Sequence, residues 1–369
     1  MSMKVVRSAL FCAASLGLAA TAAPASAQKI AGQYICVFKA NTVARGSVRS
    51  EAASAAAKSG GAVLHTYSNT IRGFAMNASA QGVAAMAEHN PRIAYCEQDQ
   101  VMSVVQGKPG GGGTTPAETT PWGVARVGGG LTGSTRKAWV IDSGVDYTHP
   151  DLNVNTALSR TFISRTTTAD DDNGHGSHVA GTIGAIKGNG IGYVGVAPGV
   201  SIVAVKVLDR RGSGSNSGVI AGVDYAGATF TAGDVANMSL GGGFSQALND
   251  AVIAAAAKGL KFALAAGNES TDANTKSPAS ANHPNIYTIS SFAQGDRWSS
   301  FSNYGNPPVD FAEPGSAIPS TYKDGGYATL SGTSMASPHM AGLLLLGTPR
   351  SGGTVTGDPD GNPDTIGIN

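Results

Sequence analysis

Four side chains in this sequence stand where their chemistry would be usable. Ser334 lies in Gly332-Thr333-Ser334-Met335-Ala336-Ser337-Pro338-His339, a small-residue turn that runs straight into the apolar run Met340 to Leu346. A hydroxyl there caps a helix by accepting the free N–H groups of its first turn. The same placement, in the positive field of a helix N-terminus, also suits a serine that forms an oxyanion intermediate. His175 is flanked by glycines in Asn173-Gly174-His175-Gly176-Ser177-His178, which lets the backbone turn tightly and leaves the ring accessible. Asp142 closes the apolar strand Val140-Ile141-Asp142 before Ser143-Gly144. A carboxylate in such a place is costly without a partner, although an isolated Asp before Gly is also an ordinary turn residue. Asn268, in Ala265-Ala266-Gly267-Asn268-Glu269, puts a side-chain amide at a strand end, where it can donate to an oxyanion or complete a turn. A serine nucleophile, an imidazole base, an orienting carboxylate and an oxyanion donor are the set that acyl transfer requires.

The elements around these residues alternate. Strand-like runs at Ala138 to Ile141, Ser201 to Leu208, Val235 to Leu240 and Leu260 to Ala266 are separated by helical patterns at Ser177 to Ile186, Ser217 to Ala228 and Ser245 to Lys258. This alternation predicts an α/β unit: a parallel sheet with helices on both faces. Sites in such sheets form beyond the C-terminal ends of the strands, where Asp142 and Asn268 fall. His175 and His178 also read as a His-x-x-His metal pair, but no Glu lies between them as a zinc-peptidase motif needs. Asp170, Asp171 and Asp172 read as a solvated acidic loop.

The rest of the chain bounds the setting. Among 369 residues the net charge is +1 and charged residues are 13%, about half the usual share of roughly 25%. No Lys/Arg block supplies the basic stripe of a nucleic-acid binder. Met1 to Ala27 reads as a signal peptide: Lys4 and Arg7, an apolar Ala9 to Leu18, then Ala25-Ser26-Ala27. No later apolar run is long enough to anchor the chain in a membrane. Residues 33–98 follow the order βαββαβ of a small ferredoxin-like α+β unit. Its first and last strands are neighbours in that topology, so Cys36 and Cys96 could lie side by side and bond, as export permits; the alternative is two small buried hydrophobes. Residues 106–120 carry Gly, Pro and Thr without periodicity and read as a linker. The tail, 348–369, is polar and rich in Gly and Pro and reads as a loop or disordered end.

Taken in order, the motifs of Asp142, His175, Asn268 and Ser334 resemble those of the subtilisin-like serine proteases, in the proteinase K branch, with Ser177 where Thr is usual. The resemblance covers nearly all of 121–346, opening at Pro121-Trp122-Gly123-Val124-Ala125-Arg126-Val127. It implies a three-layer catalytic unit at 121–347 in which these four residues act as carboxylate, base, oxyanion donor and nucleophile. Gly73-Phe74 and Ala94-Tyr95-Cys96-Glu97-Gln98-Asp99 resemble the family's inhibitory pro-domain. That implies a pro-domain at 28–105, cut near Val105–Gln106, as the chain's own inhibitor. Gly212, Ser213, Gly214 and Ser239, Leu240, Gly241 match the two rims that pair with substrate backbone, and Ala265 and Gly267 would line a roomy apolar pocket. The implied protein is a secreted monomer with polypeptide substrates, broad in specificity and favouring apolar or aromatic residues before the scissile bond. Pro284, Ile286 and Asp310 resemble a structural calcium site of this branch.

Overall fold

The computed structural model describes residues 28–104, 110–113 and 115–369; the signal segment and the Val105–Gln106 bond lie outside them. The N-terminal unit runs β1 (Lys29–Phe38), α1 (Val48–Lys58), β2 (Ala62–Tyr67), β3 (Gly73–Asn77), α2 (Ala80–His89) and β4 (Ile93–Val104). Its antiparallel sheet has the order β4-β1-β3-β2, the ferredoxin-like arrangement expected. Its helices cover one face, burying Val48, Ala52, Val83 and Met86 against Phe38, Phe74 and Met76. Cys36 and Cys96 face each other across β1 and β4 and are joined as a disulfide.

The chain continues as β5 (Gly110–Gly113), α3 (Trp122–Arg126), β6 (Lys137–Asp142), β7 (Arg160–Thr161), α4 (His175–Gly184), β8 (Ser201–Lys206), β9 (Ser213–Ser215), α5 (Asn216–Thr229) and β10 (Val235–Met238). There follow β11 (Leu240–Gly243), α6 (Gln246–Ala257), β12 (Lys261–Ala265), β13 (Lys276–Ser277), β14 (Ile286–Ala293), β15 (Arg297–Trp298) and β16 (Val309–Pro314). The last elements are β17 (Ile318–Thr321), β18 (Tyr327–Leu330), α7 (Thr333–Leu346), β19 (Arg350–Thr354) and β20 (Thr365–Ile368).

A sheet of order β20-β16-β14-β12-β10-β6-β8-β7 forms the middle layer, all its pairs parallel. The strands are apolar on both faces because both are covered. On one side α5 and α6 bury Val219, Val223, Leu248 and Val252 against Trp139, Ile141 and Phe262. On the other, α4 and α7 bury Val179, Ile183, Met340 and Leu344 against Val140, Ala204 and Ile289.

Two expectations are corrected. The tail is not a loose end: β20 extends the parallel sheet beside β16, with Ile366 opposite Ala312, and β19 folds back on β20. Ile366 is fully buried with Phe292 and Val355, and that apolar contact orders a segment of polar composition. The stretch 106–120 is likewise not a free linker throughout. β5 pairs with β18, and Glu118 and Thr119 donate to the carbonyls of Gly190 and Gly192. The Glu118 carboxylate gathers the N–H groups of Gly188, Asn189 and Gly190 at 2.7, 3.1 and 2.9 Å for the first, third and second of these.

The joint between tail and sheet contains a buried acid. Glu313, on β16, is fully buried, and neither carboxyl oxygen has a hydrogen-bond partner. A Cβ added at Gly367 of β20 would lie 2.3 Å from its Oε1. Burial pushes its pKa well up, only partly opposed by the Arg126 charge. Above the unfolded value of about 4.5 the unfolded chain ionises this group and the folded chain does not, so stability falls as pH rises. Glu313→Gln removes that slope. The difference in unfolding free energy between variant and wild type should move in the variant's favour from pH 4 to pH 8, by up to ~1.4 kcal/mol per pH unit. A difference that stays flat with pH contradicts an uncharged Glu313.

Candidate active site

The four residues singled out by motif fall into two pairs, Asp142 with His175 and Asn268 with the Thr333-Ser334 start of α7; Asp142 ends one parallel strand and Asn268 follows the C-terminal end of another. β6 delivers Asp142, fully buried, and its Oδ1 lies 2.8 Å from His175 Nδ1. The same oxygen accepts the Ser143 N–H at 2.6 Å, which fixes the carboxylate. His175 opens α4 behind Gly174, whose φ of 110° favours glycine. A Cβ at Gly174 would also strike the Tyr322 ring, 2.3 Å from Cζ. With Nδ1 turned to Asp142, His175 Nε2 is buried and without a hydrogen-bond partner.

Ser334 is the second residue of α7. Its Oγ donates to the Ser239 carbonyl at 2.9 Å rather than to His175, and the Ser239 hydroxyl donates back to the Ser334 carbonyl at 2.8 Å. Asn268 follows the end of β12. Its Oδ1 accepts from both Thr333 N–H and Thr333 Oγ1, at 2.9 and 3.0 Å. That fixes which end of the amide is which and turns the NH₂ group away from α7's first residue. Gly267 before it has φ 112°, and a Cβ there would lie 2.2 Å from Asn303 Nδ2.

The two rims are present and filled. β9 pairs antiparallel with β4, setting Ser213 opposite Ser103, Gly214 opposite Met102 and Ser215 opposite Val101. β11 pairs with the other edge of β4, Leu240 opposite Val104 and Gly241 opposite Ser103. The Val104 N–H donates to the Gly212 carbonyl at 2.9 Å. The end of the N-terminal unit's last strand thus lies as a middle strand between the rims, with Met102 fully buried. Upstream on β4, Glu97 accepts from Ser245 Oγ and from the N–H groups of Gln246 and Ala247 at the start of α6, the latter two at 3.1 and 3.4 Å. Asp99 accepts the Ser217 N–H at 3.1 Å at the start of α5. Carboxylates at helix N-termini are favoured by the dipole and the free amides.

A profile of the Peptidase_S8 group, described as the Subtilase family, matches residues 137–349. The chain belongs to the subtilase family. It is a subtilisin-like serine protease, a hydrolase. The subtilase is 40% identical to alkaline serine exoprotease A of Vibrio alginolyticus over 77% of the chain, spanning about half, 53%, of that relative's length. It is 35% identical to the cuticle-degrading protease of Metarhizium anisopliae over 90% of the chain and 83% of the relative. Proteinase R of Parengyodontium album is likewise 35% identical, over 86% and 80%. The crystal structure of a cold-adapted subtilisin-like serine proteinase aligns with a TM-score of 0.57 and 42% identity, covering 62% of this chain and 87% of that one.

Two residues of the subtilase's site escaped the motif reading. Asp171 is not part of a solvated acidic loop. It is buried and accepts from Ser143 Oγ, Asn173 N, Gly174 N, and both Ser177 N and Oγ, at 2.7 to 3.0 Å. It ties the Asp142 turn to the His175 turn. Ser177 supplies the hydroxyl of that contact. Asp172 pairs with Lys206. Ser239, expected as a residue of the rim and of the pocket wall, also accepts the Ser334 hydroxyl through its carbonyl. His178, the other half of the metal reading, turns Nε2 to the Ile318 carbonyl at 3.0 Å, and burial lowers its pKa to about 3. For the calcium expectation, Ile286 begins β14, and Asp310 on the adjacent β16 accepts the Thr288 N–H at 2.9 Å. Among the described residues no cluster of three or more His, Cys, Asp or Glu is grouped for a metal.

Proposed function

We propose that this subtilase is a secreted, self-processing endopeptidase of broad specificity, made as a zymogen whose residues 28–105 inhibit it. The observation that carries the reading is the seating of Val101–Val104 between β9 and β11. An extended peptide there gains main-chain hydrogen bonds on both sides without its sequence being read. The cut near Val105–Gln106 that the family resemblance implies follows this seated segment directly in the sequence. In a substrate complex Ser334 turns its hydroxyl from the Ser239 carbonyl to His175 Nε2, since catalytic hydrogen bonds tighten only once substrate is bound. Ser334 Oγ attacks the scissile carbonyl while His175 takes its proton, and His175 then gives that proton to the leaving amine. Asp142 holds Nδ1–H and stabilises the imidazolium. The Asn268 amide and the Ser334 N–H receive the oxyanion. After the first turnover the product strand remains between the rims and blocks them.

Small walls at Ser239 to Gly242 and Ala265 to Gly267 suit apolar or aromatic side chains before the scissile bond. Glu269, the acid nearest them, is held by Asn303 Nδ2 at 2.7 Å and faces Lys276 at 3.5 Å, which argues against selection for basic residues. A serine-directed phosphonylating reagent tests the chemistry: it should block activity and label Ser334 once per chain. Activity that survives full exposure to the reagent contradicts the mechanism.

Asn268→Ala should lower kcat by about 10²–10³ with little change in KM, a magnitude known from a subtilisin and carried over within the family. A loss of tenfold or less would remove Asn268 from the oxyanion role. For structural calcium, the Asp310 carboxylate is fixed by Thr288 beside the strand that starts at Ile286, and with the Pro284 and Ile286 carbonyls it offers the oxygen-only set Ca²⁺ prefers. Chelator should therefore lower Tm; an unchanged Tm would exclude the site.

A further inference from the structure

The loop that carries Asn268 away from β12 is held by one side chain from a distant segment. Asn303, between β15 and β16, is fully buried. Its backbone N–H donates to the Gly267 carbonyl at 3.0 Å. Its Nδ2 donates to the Ala266 carbonyl at 2.9 Å and to Glu269 Oε2 at 2.7 Å. Its Oδ1 accepts the N–H groups of Glu269 and Thr271, each at 3.0 Å. Both donors and both lone pairs of the amide are in use. They fasten the chain just before Asn268 and just after it. Neighbouring backbone adds to the grip: the Ser270 N–H donates to the Phe301 carbonyl at 3.0 Å, and the Tyr304 N–H to the Thr271 carbonyl at 3.1 Å.

The loop needs such a hold. Gly267 has φ 112° and Ser270 has φ 54°, so the backbone enters the left-handed region on both sides of Asn268. For Ser270 that conformation is uncommon, and it persists where the surroundings fix it. The Asn268 side chain is pinned at one end only, its Oδ1 accepting from Thr333. Where the NH₂ end falls is then set by where the Asn268 backbone lies. We infer that Asn303 is a positioning residue for the oxyanion donor: it holds the Asn268 backbone so that the NH₂ group meets the developing charge. This rests on the reading of Asn268 as that donor. A misplacement of about 1 Å from a change away from the chemistry can cost about 10²-fold in rate. The loss cannot exceed that of removing the donor itself.

The test combines Asn303→Asp and Asn303→Ser with Asn268→Ala, in the full chain, reading kcat and KM on a small apolar peptide beside Tm. The rate of self-cleavage gives the same comparison for any chain too slow to mature. Asn303→Asp keeps the acceptor for Glu269 and Thr271 but sets an oxygen against the Ala266 carbonyl and the Glu269 carboxylate. It should lower kcat about 10- to 100-fold with KM within about twofold. In the Asn268→Ala background the same change should cost less than about threefold, because the group it positions is gone. Asn303→Ser, which leaves room for water beside the freed groups, should act in the same direction and decides the matter if Asn303→Asp does not fold. Equal losses in both backgrounds, or a raised KM with kcat unchanged, overturn the positioning role and leave Asn268 as the donor. A loss of tenfold or less in Asn268→Ala alone overturns the oxyanion reading and this inference together.

Discussion

Ser334→Ala is expected to lower kcat for peptide hydrolysis by about 10⁶, a figure that belongs to a subtilisin and is carried over within the family rather than derived from this structure. The local geometry says why the loss should be so large. Ser334 sits on the first turn of α7, and Ser239 holds both its hydroxyl and its carbonyl, so no other hydroxyl occupies an equivalent position. Thr333, its neighbour, is committed through Oγ1 to Asn268 and to the Gly267 N–H. Ser337 is committed to Asn237 at 2.8 Å. The variant loses one hydroxyl from a buried helix start, so its fold should survive. The measurement is kcat on a small apolar peptide beside the melting curve. A variant with native Tm and more than a hundredth of wild-type activity would show that another group is the nucleophile.

Asp142→Asn should cost about 10⁴ in kcat with a small change in KM, again a subtilisin-type magnitude. The Asp142 Oδ1 serves His175 Nδ1 and the Ser143 N–H together, while Oδ2 is buried and unpartnered. An asparagine has two choices there. With its oxygen at the Oδ1 position, the NH₂ takes the Oδ2 place and lies buried and unpaired, at about 1–3 kcal/mol. Flipped, the NH₂ faces Nδ1 and forces the proton onto Nε2, which then cannot accept the Ser334 proton. Either choice also removes the negative charge that stabilises the imidazolium. Single-turnover kinetics at saturating substrate read this step directly; a loss below tenfold would mean that Asp142 only positions the ring.

The candidate set was legible as positions because each member stands at an element boundary that small residues mark. Gly174, Gly267 and Gly332 surround His175, Asn268 and Ser334, and an apolar strand ends at Asp142. The layers were legible because the buried strands and amphipathic helices have different periods. Asp171 was not legible: three consecutive aspartates look alike, and only the folded loop shows that the middle one turns inward to five donors. The length of β4 was also hidden, since Val101 to Val104 becomes a strand by pairing with β9 and β11, partners more than a hundred residues away. The tail misled for a related reason. Gly and Pro dominate it, and Thr365-Ile366-Gly367-Ile368 is ordered by the open edge of β16 and by the pocket that takes Ile366. Both misreadings concern strands whose partners were contributed by distant chain.

The central claim is that Ser334 cuts its own chain after residues seated between the rims. Intact mass of the purified wild type beside Ser334→Ala tests it most directly. Wild type should be found as two pieces divided near Val105–Gln106, while Ser334→Ala keeps residues 28–369 in one piece. Division of the Ser334→Ala chain at the same bond, or a wild type that remains whole, would contradict it.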